Sequence, residues 1–108
     1  MTDKEFIELA AKAAGVKLQW HHSGAMAFSG WQRGKFDPLN DDGDALRLAV
    51  NLGLTINVNG MFVHADCCNR DDDIGYFEEN SARNDGCILK AARRVIVRAA
   101  AAIGEDME

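Results

Sequence analysis

Carboxylates crowd one short segment, Asp37-Pro38-Leu39-Asn40-Asp41-Asp42-Gly43-Asp44-Ala45-Leu46-Arg47-Leu48-Ala49-Val50, which runs from a turn into a helix start. Oxygen donors at this density invite a hard-cation site, and Asp41, Asp42 and Asp44 are the metal candidates. Spacing argues the other way. A calcium loop wants oxygen donors at its first, third and fifth positions, a glycine at the sixth and a bidentate Glu at the twelfth. With Gly43 set sixth, Asp42 and Asn40 fall correctly, but Pro38 and Ala49 occupy the first and twelfth places. The favoured reading is that Asp41 or Asp42 caps a helix and the remaining acids complement its N-terminal dipole.

Other chemistry-bearing residues are weaker still. Asp71-Asp72-Asp73 is an acidic run without a visible partner acid or base, and it reads as a solvated loop. His64, Cys67, Cys68 and Cys87 lack the paired spacing of structural zinc sites, because adjacent cysteines do not easily reach one tetrahedral ion. An odd count of three cysteines is a poor disulfide framework and fits reduced thiols. His21-His22 falls in an expected turn. Neither a phosphate-binding glycine loop nor a nucleophile elbow is present. Lys90, Arg93, Arg94 and Arg98 could contact phosphate. They read better as the polar face of an amphipathic helix, paired with acids of residues 66–85.

The elements that must position these residues follow from periodicity. Thr2 and Glu5 form a capping box, and Phe6, Leu9, Ala10 and Ala13 recur at helical spacing up to Gly15, giving a first helix over 3–14. Residues 16–31 read as a hairpin with a turn at His21 to Gly24. Glycines and Pro38 mark 30–43 as loop. Leu46, Ala49, Val50 and Leu52 make the apolar stripe of a second helix over 43–52. Residues 55–64 give a second hairpin, with Asn59-Gly60 as a type I′ turn. That turn sets Val58 against Met61 and Ile56 against Val63, with Phe62 and His64 on the other face. Residues 66–86 read as a long acidic loop whose apolar anchors are Ile74, Tyr76 and Phe77. A third helix over 85–103 carries Ile88, Ala92, Val95, Ala99 and Ile103 on one face, is capped by Asn84 or Asp85, and stops at Gly104.

The expected architecture is α+β: three helices packed on a small antiparallel sheet, in the order α-β-β-α-β-β-loop-α, within a single domain over 1–108. No apolar run approaches the about 18 residues that span a bilayer, and Asp3, Glu5 and Glu8 interrupt any signal-like pattern, so a cytoplasmic location is expected. The net charge of −5 is uneven. Residues 37–89 hold eleven acids against three bases, whereas both flanking regions are mildly basic. Such an acidic middle repels phosphate backbones and disfavours nucleic-acid binding.

The segment Asp37 to Leu52 resembles a block, roughly N-P-L-x-D-D-G-D-A-L-R-L-A-V-K-L, of small uncharacterised proteins from tailed phages and prophages of enterobacteria. Ala92-Arg93-Arg94-Val95-Ile96-Val97-Arg98-Ala99-Ala100-Ala101-Ala102-Ile103-Gly104 resembles their C-terminal block, A-R-R-x-I-V-R-A-A-A-x-I-G, and Leu9 to Gly15 also fits. Asp37 and Asn51 depart from the usual Asn and Lys. The resemblance implies an accessory product expressed in the cytoplasm of a bacterial host. It supplies no catalytic residues and no cofactor.

The expected function is non-enzymatic binding of an unidentified host or phage protein, without membrane partners. Phe62, Tyr76, Phe77, Asp71, Asp72 and Asp73 are the expected contact residues, and homodimerisation through the sheet or third helix is an open alternative. Asp41, Asp42, Arg93 and Arg94 are assigned a structural role, an arginine of the third helix reaching the acidic loop before the second. The rivals are a metal-dependent or hydrolytic enzyme using Asp41, Asp42, Asp44 and Asp71–Asp73, and a nucleic-acid binder using the third helix.

Overall fold

The computed structural model describes residues 2–31, 34–66 and 76–107. Three helices and five strands follow in the order α1 (Asp3–Ala14), β1 (Lys17–His21), β2 (Gly24–Ser29), α2 (Asp42–Leu52), β3 (Thr55–Asn59), β4 (Phe62–Asp66), β5 (Tyr76–Asn80) and α3 (Ile88–Asp106). The class is α+β. The strands form two sheets where one was expected: β1–β2, and β3–β4–β5, all antiparallel.

Local rules explain most element ends. Thr2 Oγ1 accepts the Glu5 N–H at 3.2 Å and Glu5 Oε1 accepts from Thr2, so the capping box starts α1. Asp41 caps α2 by accepting the Asp44 N–H at 2.7 Å. The helix begins one residue earlier than its sequence suggests.

Three further expectations fail. First, the β3–β4 turn is Gly60-Met61, with Val58 opposite Val63 and Ile56 opposite Ala65. Only Gly60 takes a positive φ there (63°), the pattern in which glycine leads the turn. The partner of each residue moves by two, so the faces are retained. Val63 and Ala65 are buried, while Val58 and Met61 project into solvent. Second, the supposed acidic loop contributes β5, which pairs with β4 from Asp66↔Tyr76 to Phe62↔Asn80, and then a 3₁₀ turn, Ser81–Asn84. Third, α3 starts at Ile88 under a Cys87 cap, whose Sγ accepts the Lys90 N–H at 3.4 Å, and runs through Gly104.

α3 is the axis of the fold. It packs on α1, on α2 and on the β4–β5 face, and it buries Val95, Ile96, Val97, Ala99, Ala100 and Ile103 around more than one side. Small residues let α1 approach closely. A Cβ at Gly104 would lie 2.0 Å from the Leu9 carbonyl oxygen, so only glycine fits there. The glycine that reads as a stop signal is a contact point between helices.

Candidate functional site: an apolar groove beside an open sheet edge

The carboxylates that open α2 are occupied by local bonds. Asp44 is fully buried; its Oδ2 accepts the Asp37 N–H at 2.9 Å, and its Oδ1 accepts Arg47 Nη1 at 2.9 Å and the Trp31 indole N–H at 3.4 Å. It therefore ties the chain around Trp31 and Asp37 to α2, and Trp31 in turn meets the Phe36 ring edge-on at 4.8 Å. Asp41 spends an oxygen on the cap, and Asp42 faces α3. Oxygens engaged by an indole, an amide and a guanidinium are poor ligands for a cation. Among the described residues, no three His, Cys, Asp or Glu side chains gather in a way that could hold a metal ion.

α3 meets this loop directly. Arg93 Nε donates to the Leu39 carbonyl at 2.9 Å, and Arg93 Nη1 reaches Asp42 Oδ1 at 2.5 Å. Arg94 turns to α1 and lies 3.5 Å from Asp3. Arg98 pairs with Glu79 and donates to the Glu78 carbonyl at 3.0 Å, and Lys90 pairs with Asp85. The Lys90 ammonium beside Asp85, first by hydrogen bond and then by charge, holds that carboxyl below the usual aspartate range. The bases of α3 are thus shared between the acidic region and two other partners.

The remaining candidates disperse. His64 Nε2 lies 2.8 Å from Glu78 Oε2 across the β4–β5 pair, far in the topology from His21 and His22, which are exposed at the β1–β2 turn. Cys87 caps a helix. Asp71, Asp72, Asp73, Cys67 and Cys68 lie outside the described residues, as does the side chain of Tyr76. Phe77 is no projecting anchor: it packs on the core, with the Arg98 guanidinium 5.5 Å above its ring. Phe62 is 39 % exposed.

What the structure does gather is apolar. A groove of about 210 Å³ runs between α2, α3 and β3, its walls formed by Leu46, Ala49, Ile56, Leu89 and Ile96 and its rim by the Arg93–Asp42 pair. Leu46 is 64 % exposed and Leu89 56 %. Val50, one turn after Leu46, is 72 % exposed, and Val58, which shares the face of Ile56, is 59 % exposed. The expected stripe of α2 is therefore misphased. Ala45, Leu48 and Ala49 face the core, and Leu46 and Val50 form a second apolar face.

Among the described residues, the groove borders a strand that pairs with another strand on one side only. β3 is an edge of its sheet, and Thr55-Ile56-Asn57-Val58-Asn59 contains no charge and no proline. The opposite edge strand, β5, carries Glu78 and Glu79. Edges are ordinarily blunted by charges, prolines or bulges, and β3 has none of these.

Another cavity, about 260 Å³, lies between the start of α1 and the β1–β2 turn. Its charges are matched: Lys35 is 3.8 Å from Asp37, and Lys4 lies 5.1 Å over the Trp20 ring. Among the described residues, no helix is long and apolar enough to cross a membrane. No family model, curated protein or solved structure matches the chain.

Proposed function

We propose that this chain is a non-enzymatic protein-binding module that takes an extended segment of a partner along β3 and seats apolar side chains of that segment in the adjoining groove. One observation carries the reading: Leu46 and Leu89 line one groove and are each more than half exposed, as are Val50, one helical turn beyond Leu46, and Val58, two residues along the strand from the groove residue Ile56, and that strand is a sheet edge without charge. Main-chain bonds to an open edge supply affinity, and a side-chain groove supplies selectivity. Contiguous exposed apolar surface of this kind marks interaction sites in folded proteins. The two sequence blocks around α2 and α3 support an accessory role in a phage or prophage, with a host or phage protein as the partner.

The test compares the wild-type chain with a Leu46→Glu/Val58→Lys variant in capture from phage-infected bacterial lysate, with circular dichroism verifying the fold of both. Loss of a specific captured protein in the variant is expected. Equal capture by both chains contradicts the reading.

A second reading rests on the strand itself. Antiparallel self-pairing of β3 centred on Asn57 sets Ile56 opposite Val58 and Thr55 opposite Asn59, polar on polar and apolar on apolar, with no like charges facing. Sedimentation over a concentration series separates the two. A dimer that Val58→Lys dissociates favours self-pairing, and a monomer at all concentrations removes it.

A further inference from the structure

We propose that the polar cleft between the Ser81–Asn84 turn and α3 binds a phosphate monoester. The cleft, about 470 Å³, is lined by Arg83, Lys90, Arg94 and Arg98, with Glu79 and Asn84 at its floor. It uses a different face of α3 from the groove, which is bordered by Leu89, Arg93 and Ile96. Four cations meet a single carboxylate there, in a chain whose net charge is −5.

That carboxylate is already committed. Glu79 Oε1 accepts from Asn84 Nδ2 at 3.1 Å, its Oε2 pairs with Arg98, and its side chain is only 10 % exposed. Asn84 is 2 % exposed and also donates to the Asn80 carbonyl at 2.8 Å, so the floor is fixed and the turn that carries Arg83 is fixed with it. Two of the cations rest on aromatic rings: Arg94 lies 5.8 Å from the Phe6 centroid and Arg98 lies 5.5 Å from that of Phe77. These contacts position the guanidinium groups without using an anion.

The cationic side of the cleft is under-matched. Among the described residues, no acid pairs with the Arg83 side chain. Arg94 lies 3.5 Å from Asp3, which is 71 % exposed, and Lys90 is matched by Asp85, which is 80 % exposed. Solvent-exposed pairs of this sort are weak and readily exchanged for a better anion. Lys90, Arg94 and Arg98 also stand four residues apart along α3, and such like-charge neighbours repel. A dianion relieves that repulsion.

The number of cationic groups selects the ligand class. A carboxylate is satisfied by one guanidinium fork. Three or more cations on two elements suit an anion with two charges and three acceptor oxygens, which is a phosphate monoester. A phosphodiester has a single charge per phosphate and fits less well.

Thermal unfolding of the full chain tests this with inorganic phosphate, phosphoserine, dimethyl phosphate and sodium chloride at matched ionic strength. Phosphate and phosphoserine are expected to raise Tm saturably, by about 5 °C at a tenfold excess over Kd, and the other two are not. Tighter binding of phosphoserine than of phosphate assigns the ligand to a protein-borne phosphoryl group, and the reverse order assigns it to a free one. Arg83→Ala removes a side chain that no acid pairs with among the described residues, so the ligand-free Tm should hold while phosphate affinity falls about tenfold. A rise in Tm that only follows ionic strength overturns the proposal. So does full phosphate affinity in Arg83→Ala, or tighter binding of dimethyl phosphate or a short oligonucleotide than of phosphoserine.

Discussion

Substituting Gly104 with alanine tests how closely α1 and α3 approach. In an ordinary helix interior the change stabilises, because alanine is favoured over glycine by about 0.8–1.0 kcal/mol. Here the added Cβ would lie 2.0 Å from the Leu9 carbonyl oxygen, 2.8 Å from its carbon and 3.2 Å from Leu9 Cα, all of them backbone atoms. A carbon–oxygen contact needs about 3.3 Å, so the helices must separate locally by more than an ångström. A gap of that size forfeits about a quarter to a half of each dispersion contact along the seam, and overpacking costs about 1–3 kcal/mol. The seam is also pinned by Lys12 Nζ on the Met107 carbonyl at 2.9 Å and by Arg94 beside Asp3, so α1 cannot swing away freely. The clash outweighs the propensity gain. Gly104→Ala should destabilise by about 1–3 kcal/mol, seen in urea unfolding and as a fall in Tm of roughly 4–12 °C. Ala102→Gly, on the partly exposed side of the same turn, isolates the propensity effect and should cost about 1 kcal/mol. An unchanged or raised Tm for Gly104→Ala refutes the close approach.

The other predictions concern polar contacts. Asp44→Ala strands the Asp37 amide and the Trp31 indole and leaves Arg47 with Asp41 at 3.9 Å, and should cost about 3–5 kcal/mol in urea unfolding, with a change in Trp31 fluorescence. Arg93→Ala loses the Leu39 carbonyl bond and the Asp42 pair; because Asp42 is 59 % exposed, the expected loss is only about 1–1.5 kcal/mol in the same assay. Asp85 titrates below the ordinary aspartate range, so its pairing with Lys90 is fully present above that range and is lost as pH falls through the lowered value. A carboxyl NMR titration should show Asp85 returning to ordinary behaviour in Lys90→Met. Since the carboxylates at the start of α2 are engaged in caps and pairs, calcium, magnesium, manganese and zinc should leave Tm unchanged in a thermal-shift titration.

Local chemistry was legible in the sequence, and long-range geometry was not. The Thr2–Glu5 box, the Asp41 cap and the left-handed Gly15 and Gly53 are set by neighbours within a turn, so residue types alone indicate them. The turn at Gly60-Met61 lies one residue on from the expected Asn59-Gly60; both registers put Val63 and Ala65 on the same face, so the alternation of apolar residues does not choose between them. β5 was hidden because Glu78, Glu79 and Asn80 have poor strand propensity; edge pairing with β4 and the Arg98–Glu79 pair make that strand. The groove was missed for a related reason. Ala45, Leu46, Leu48, Ala49 and Val50 give α2 more apolar positions than one face requires, and that surplus was the available signal. Reading it as a single stripe placed Leu46 and Val50 in the core, whereas they are 64 % and 72 % exposed.

The most direct test of the docking surface places a photo-crosslinking amino acid at Val58, and separately at Glu8 on the exposed face of α1, in chains expressed in bacteria. A discrete adduct with one protein at position 58, absent at position 8 and lost when Leu46 is also changed to Glu, is the predicted outcome. The same adducts at both positions, or none at 58, would contradict the assignment of the groove and the β3 edge as the binding surface.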